Sequence, residues 1–268
     1  MCTLSVVPSS DRSAVRLLFN RDERRLRPLA YPPAWHPAGG GRAVWPVDAA
    51  SGGTWIAASD HGLAFALLNA DGPRTGPGSP SRGTLIPAVA GAASLAELET
   101  RWRAIDTTGF APFRLVAASM REIAVFARGC LEPSIMQIGR GDVFSSSSLG
   151  DGLVEGPRRG VLLQLLREAS DPWQAQTRFH HHAWPDRRHL SVMMSRTEAC
   201  TVSCTEIILA PGKVTMHYRP VVDGWPISTR AEQTRQRRRG PQMTRTPQIT
   251  QMTQKSQMTQ MGMGRGVW

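Results

Sequence analysis

The chain has 268 residues, 41% apolar and 20% charged, with 25 Gly, 20 Pro, four Cys and a formal charge of +11. That length buries a sizeable core without metal or disulfide. The cysteines lack framework spacing, which points to a reducing compartment, and no apolar run reaches the roughly 18 residues of a membrane span, so a disulfide scaffold, collagen and a helical membrane protein are excluded. Seven arginines and Lys255 against Glu232 put +7 of the charge in residues 229–268, which leaves +4 for residues 1–228. With only Lys213 and Lys255 among the lysines, the basicity is mostly arginine in a tail and does not read as a nucleic-acid surface.

In chain order, Thr3–Val7 and Arg16–Asn20 are predicted to form a first hairpin across the turn-rich Pro8-Ser9-Ser10-Asp11. Arg27–Pro46, with Pro32-Pro33 and Gly39-Gly40-Gly41, reads as a long loop. Trp55–Ser59 and Leu63–Leu68 form a second strand pair around Asp60-His61-Gly62. Two helices follow, Ser81–Val89 and Ser94–Ile105, the latter opened by Ser94 and Glu97 at capping-box spacing. Phe113–Ser119, Glu122–Arg128 and Val143–Ser146 are strands. Arg158–Ala169 is an amphipathic helix with Val161, Leu162, Leu165, Leu166 and Ala169 on one face. Leu190–Ser195, Thr201–Leu209 and Lys213–Arg219 are a closing set of strands.

Hairpin-linked strands with helices grouped between them predict an α+β fold of antiparallel sheets covered by helices, rather than alternating βαβ units. The domain is placed at residues 1–228. Residues 229–268 repeat Gln-Met-Thr at Gln242, Gln251 and Gln257 and are expected to be disordered, since such a segment buries too little to offset chain entropy. The cluster Arg235–Arg239 reads first as solvated tail, with contact to RNA, acidic lipid or an import receptor as the alternative. No Gly-x-Gly-x-x-Gly or phosphate-loop motif supports nucleotide binding.

Cys2 is the first residue with a chemical signature. Loss of Met1 gives it a free α-amine beside its own thiol, two groups that titrate near 8 and 8.5, so one residue supplies both nucleophile and base. Asn20-Arg21-Asp22-Glu23 ends the second predicted strand, where a hairpin returns the chain beside Cys2. An arginine there depresses a thiol pKa and Asp22 orients an amine, although an ordinary polar strand end has the same composition.

Met1-Cys2-Thr3, Asn20-Arg21-Asp22-Glu23 with Arg27-Pro28, and Gly52-Gly53-Thr54-Trp55 resemble the NRDE family, also called the Transport and Golgi organization protein 2 family. The resemblance continues through Gly62–Asn69, Ser81-Arg82-Gly83 and Thr201-Val202-Ser203-Cys204-Thr205, and covers roughly residues 1–219. It implies a four-layer α-β-β-α sandwich like that of N-terminal-nucleophile (Ntn) hydrolases. In their cysteine branch, which cleaves amides, the pattern is nucleophile, Arg, Asp, an oxyanion Asn and a late Arg. By resemblance Cys2, Arg21, Asp22, Asn69 and Arg196 match these positions. Where those hydrolases carry Ser-Asn or Thr-Asn, this chain has Ser145-Ser146-Ser147-Ser148. Loss of one oxyanion donor typically costs roughly 100- to 1,000-fold in turnover. The resemblance therefore implies either a cysteine amidohydrolase acting on a small amide, or a carrier for heme handling or lipid and Golgi trafficking that keeps the fold without turnover.

Phe179-His180-His181-His182, Cys200 and Cys204 raise metal or heme-iron ligation, but cysteines two pleats apart make a poor bite, and consecutive histidines on an extended segment face opposite ways. No metal or resident cofactor is expected, with heme kept as a possible ligand. Cys130 reads as a buried small apolar residue, and Trp35, Trp45 and Trp55 as core or as the lining of a cleft near Cys2. Without a charged-then-apolar leader at the N-terminus, the expected location is cytoplasmic.

Overall fold

Strands from the two ends of the domain pair into one sheet, and strands from its middle make another. In this computed structural model, which describes residues 2–72, 76, 78–147, 150–222 and 225–226, the first four strands are β1 (Cys2–Pro8), β2 (Val15–Arg24), β3 (Tyr31–Ala38) and β4 (Gly41–Val47). Next come β5 (Ile56–Ser59), β6 (Ala64–Asn69), a 3-10 turn at Arg82–Thr84, α1 (Leu85–Val89) and α2 (Leu95–Arg103). The chain continues through β7 (Phe113–Ala118), β8 (Glu122–Ala127), β9 (Ser134–Gln137), β10 (Asp142–Ser146), α3 (Asp151–Glu168) and α4 (Pro172–His180). It closes with β11 (Ala199–Ala210), β12 (Lys213–Val222) and β13 (Trp225–Pro226).

Among the described residues the first sheet has the order β10-β1-β2-β11-β12-β13 and the second β3-β4-β5-β6-β7-β8-β9, with every pairing antiparallel. Leu4, Val6, Leu17 and Phe19 meet Ile56, Ala66, Leu68 and Val116 between the sheets. Phe65, Leu67, Leu115 and Phe126 on the far face of the second sheet pack under Leu85, Ile86, Leu98 and Trp102 of α1 and α2. Val7 and Val143 of the first sheet pack under Leu162, Leu166, Ala175 and Phe179 of α3 and α4. The layers are α-β-β-α, as expected. Because both faces of the first sheet are covered, β1 and β2 are buried almost without alternation, while β11 alternates buried and half-buried residues.

Several elements depart from the sequence expectation. Arg27–Pro46 contains the hairpin β3–β4 instead of a loop. Its Pro32, Pro33 and Pro37 lie on β3, the edge of the second sheet, where missing backbone donors leave no internal ladder bond unmade. Helix α3 starts seven residues before Arg158 despite Gly152, Gly156 and Pro157, because Val154 and Arg158 continue the buried stripe of Leu162 and Leu166. The histidines are not extended: Asp171 accepts from the Trp173 N–H at 2.9 Å, Pro172 occupies the first turn, and α4 carries the chain through His180. Leu190–Ser195 forms no strand. Val192 and Met193 donate to the His182 carbonyl, and only a single bridge joins Ser195 to Cys200. Cys130 is exposed, in the turn after β8, and not buried.

The described residues all belong to the unit Met1–Gln236, and the tail expectation for residues 229–268 lies outside them. We propose that the tail adds nothing to the core. Ending the chain after Ser228 is then expected to leave the thermal midpoint within about two degrees by calorimetry. A large drop or insolubility would place part of the tail in the fold.

Candidate active site

The antiparallel register of β1 and β2 sets Cys2 directly opposite Arg21, so the two side chains share the face towards the second sheet. Thr3 and Asn20 share the opposite face, towards α3 and α4. The tetrapeptide is thus split by the pleat. Asn20, fully buried, donates to the carbonyls of His180 and Val192 at 2.8 and 3.0 Å, and its Oδ1 lies 2.9 Å from His180 Nδ1. His180 in turn meets Ser5 Oγ at 2.7 Å through Nε2. Both ring nitrogens are engaged, and burial pushes this imidazole well below its usual pKa, so it is a neutral brace between sheet and helix.

Arg21 lies over the Trp55 ring, 3.8 Å from its centroid, and donates to Asp48 Oδ2. Arg27 grips the same carboxylate, Nε to Oδ2 at 2.8 Å and Nη2 to Oδ1 at 2.9 Å. Burial raises the pKa of Asp48, but these guanidinium bonds outweigh it and hold the carboxyl far below the usual range. Asp48 carries no motif that marks it in the sequence.

Cys2, Arg21, Asp22, Asp48, Trp55 and Asn69 line one open pocket of about 390 Å³, with Glu23, Arg24, Arg27 and Arg82 also in its wall. Asn69 is exposed at the end of β6, across the pocket on the second sheet. Gly53 brings the fourth wall in. A Cβ there would meet Gly83 Cα at 2.7 Å, and the Thr54 N–H donates to the Gly83 carbonyl at 3.0 Å. The Gly-Gly-Thr-Trp and Ser-Arg-Gly segments therefore touch backbone to backbone, which only glycine permits. Of the three tryptophans, Trp55 lines the pocket, Trp45 stacks on His36, and Trp35 packs against the core between the sheets.

Burial pushes the Cys2 thiol pKa up, and Asp22 adds to the rise while Arg21 opposes it. Asp22 itself is pushed up to about 6 by burial, against the Thr201 hydroxyl, which donates to Oδ1 at 2.6 Å, and the charge of Arg158. Its second oxygen is buried with no partner among the described residues. Arg196 is not in the pocket wall. It donates to the His189 carbonyl, and its charge favours ionisation of Asp22.

Of the serines that replace the expected Asn, Ser145 and Ser146 lie on β10 beside β1. Ser146 is paired with Cys2 and its hydroxyl accepts from the Cys2 nitrogen at 2.9 Å. Ser148 lies outside the described residues. Arg158 went unnoticed in sequence reasoning because an arginine on a helix ordinarily reads as surface. Here it is fully buried and donates to Thr3 Oγ1 at 2.8 Å and to the carbonyls of Leu190 and Ser191 at 2.9 and 2.8 Å. Its charge reaches both Asp22 and Cys2.

The family model of Transport and Golgi organisation 2 matches residues 1–149, the stretch that carries Cys2, the β2 tetrapeptide, Asn69 and Arg82. The chain belongs to the Transport and Golgi organisation 2 family. No curated protein matches this family member in sequence. Among solved structures it is similar to a Caenorhabditis elegans ortholog of N-acylethanolamine-hydrolyzing acid amidase, at 14% identity over 79% of this chain and 93% of that one, with a TM-score of 0.50. It is similar to penicillin V acylase from Agrobacterium tumefaciens, at 13% identity over 82% and 83% of the two chains, also with a TM-score of 0.50. A C2A mutant of the conjugated bile acid hydrolase from Clostridium perfringens matches at 11% identity over 89% and 97%, with the same TM-score. At these identities the likeness is one of fold, the Ntn-hydrolase fold, and among the described residues two sheets and four helices have that arrangement. Among the described residues no helix is long and apolar enough to cross a membrane.

Proposed function

We propose that this protein is a cysteine amidohydrolase of the Ntn type, acting on a small amide with Cys2 as nucleophile once Met1 has been removed. The observation that carries the reading is the convergence on one open pocket of the Cys2 thiol, the Arg21 guanidinium and Asp22 from the first sheet and the Asn69 amide from the second. In the chain that retains Met1 the Cys2 nitrogen is an amide and the thiol is held protonated by burial, so that form is dormant. Removal of Met1 turns the nitrogen into an amine held by Ser146, and once that amine has taken a proton its charge is offset by the ionised Asp22, whose second oxygen is buried without a partner among the described residues.

The amine takes the thiol proton, and the thiolate attacks the carbonyl carbon. A C–S bond forms, the oxyanion is held by the Asn69 amide and backbone N–H groups, and the ammonium returns its proton to the leaving nitrogen as the C–N bond breaks. Water, deprotonated by the same amine, then attacks the thioester, releases the acid and restores the thiol.

The raised thiol pKa also favours a second reading, a carrier for heme or lipid that keeps the fold without turnover. The wall suits a porphyrin poorly, because most of it is guanidinium, carboxylate and hydroxyl, and only Trp55 and Leu67 offer broad apolar surface. Intact mass of the protein from its native host separates the readings. The amidohydrolase is expected to lack Met1 and to show faster Cys2 alkylation at pH 7 than a free thiol. A mature protein that retains Met1 cannot use its α-amine as the base.

A further inference from the structure

Four arginines stand in the wall of the Cys2 pocket, and they are not equivalent. Arg21 and Arg27 are spent on Asp48, with Glu23 as a more distant partner of both. Arg24 is exposed at the rim. Arg82 is half-buried and is held by one bond, Nη1 to the Pro112 carbonyl at 2.9 Å, with no carboxylate at ion-pair distance among the described residues. The favourable charges it feels are the Cys2 thiolate and Glu23, which oppose the dominant cost of its burial. A desolvated guanidinium without a counter-ion is costly, and the planar fork it leaves unused matches an oxyanion bidentately. The close approach of Gly53 and Gly83 fixes the backbone immediately after it, and the bond to the Pro112 carbonyl ties its Nη1.

We propose that Arg82 receives an anionic group of the substrate, so that the site takes an amide carrying a carboxylate or another oxyanion within reach of the scissile bond. This deepens the amidohydrolase reading and rests on it for the word substrate. The anion site itself stands on Arg82 and the pocket alone.

The test compares alkylation of Cys2 by iodoacetate and by iodoacetamide, which differ in charge and little in size, with Cys2 read by peptide mass spectrometry. A change in thiolate fraction scales both rates together, so their ratio isolates recognition of the anion. In the Met1-free protein iodoacetate is expected to gain on iodoacetamide, relative to a free thiol, by about ten-fold or more and to show saturation. Arg82→Gln is expected to return the ratio to the free-thiol value, and Arg82→Lys to retain part of the gain. A second arm measures binding of N-hexanoylglycine and its neutral carboxamide to the Cys2→Ala protein by calorimetry. Preference for the anion that disappears with Arg82→Gln supports the proposal even if Cys2 proves unreactive, an outcome that sinks the nucleophile and spares the anion site. Equal ratios for the two reagents, or an anion preference unchanged by Arg82→Gln, overturn the proposal while leaving the nucleophile standing. Unreactive Cys2 together with equal binding of the two glycine derivatives overturns both.

Discussion

Cys2→Ala is expected to abolish covalent labelling of the pocket and any amide turnover, because no neighbouring group replaces an attacking thiolate. The pocket's shape changes little, since one sulfur atom is lost at a wall shared with Arg21, Trp55 and Asn69. Asn69→Ala separates binding from chemistry. It is expected to retain labelling by a small alkylating reagent and to lose roughly 100- to 1,000-fold in acyl transfer, because the amide matters only as charge develops on oxygen. Turnover also depends on Asp22 being ionised to face the Cys2 ammonium. Burial raises the Asp22 pKa, so activity is present above that pKa and is lost as pH falls through it. Full turnover in the Cys2→Ala protein, or activity undiminished by acid in the native one, would rule out these roles.

Arg158→Ala is expected to destabilise the fold by about 3–5 kcal/mol in denaturant unfolding, because it strands buried acceptors and opens a cavity in one step. Those acceptors are the carbonyls of Leu190 and Ser191 and the Thr3 hydroxyl, next to the Val192 carbonyl that Asn20 holds. Arg158→Met keeps most of the volume, and its loss is expected to be smaller. Without that positive charge Asp22 ionises less readily, so the acid limb of activity is expected to move up in Arg158→Met. A purely structural arginine would change the unfolding midpoint and leave the limb in place. An unfolding free energy within 1 kcal/mol of the parent for Arg158→Ala, roughly the scale of an ordinary surface change, would show that the layer between β1 and α3 does not depend on it.

Much of the fold was legible in short-range pattern. Alternating or continuous apolar runs located β1, β2, β5 to β8 and β10 to β12, and Ser94 with Glu97 located α2, whose capping bond is present at 3.1 Å. Two of the misread elements are ones whose local propensity the tertiary structure overrides. Prolines are admitted in β3 because an edge strand does not need every donor, and Gly156 and Pro157 are admitted in α3 because its stripe has a sheet to pack on. The motif residues Cys2, Arg21, Asp22 and Asn69 could be named from the sequence, since each lies in a short segment of distinctive type. Their meeting in one pocket could not, nor could the roles of Asp48, Arg82, Ser146 and Arg158. These depend on which strands become neighbours: β10 comes to β1 across more than 100 residues of chain, and the Gly53–Gly83 approach delivers Arg82 from another layer. Local sequence determined which residues carry reactive chemistry. The tertiary structure decided which charges are paired and which are buried, because burial and pairing are properties of neighbours distant in the chain.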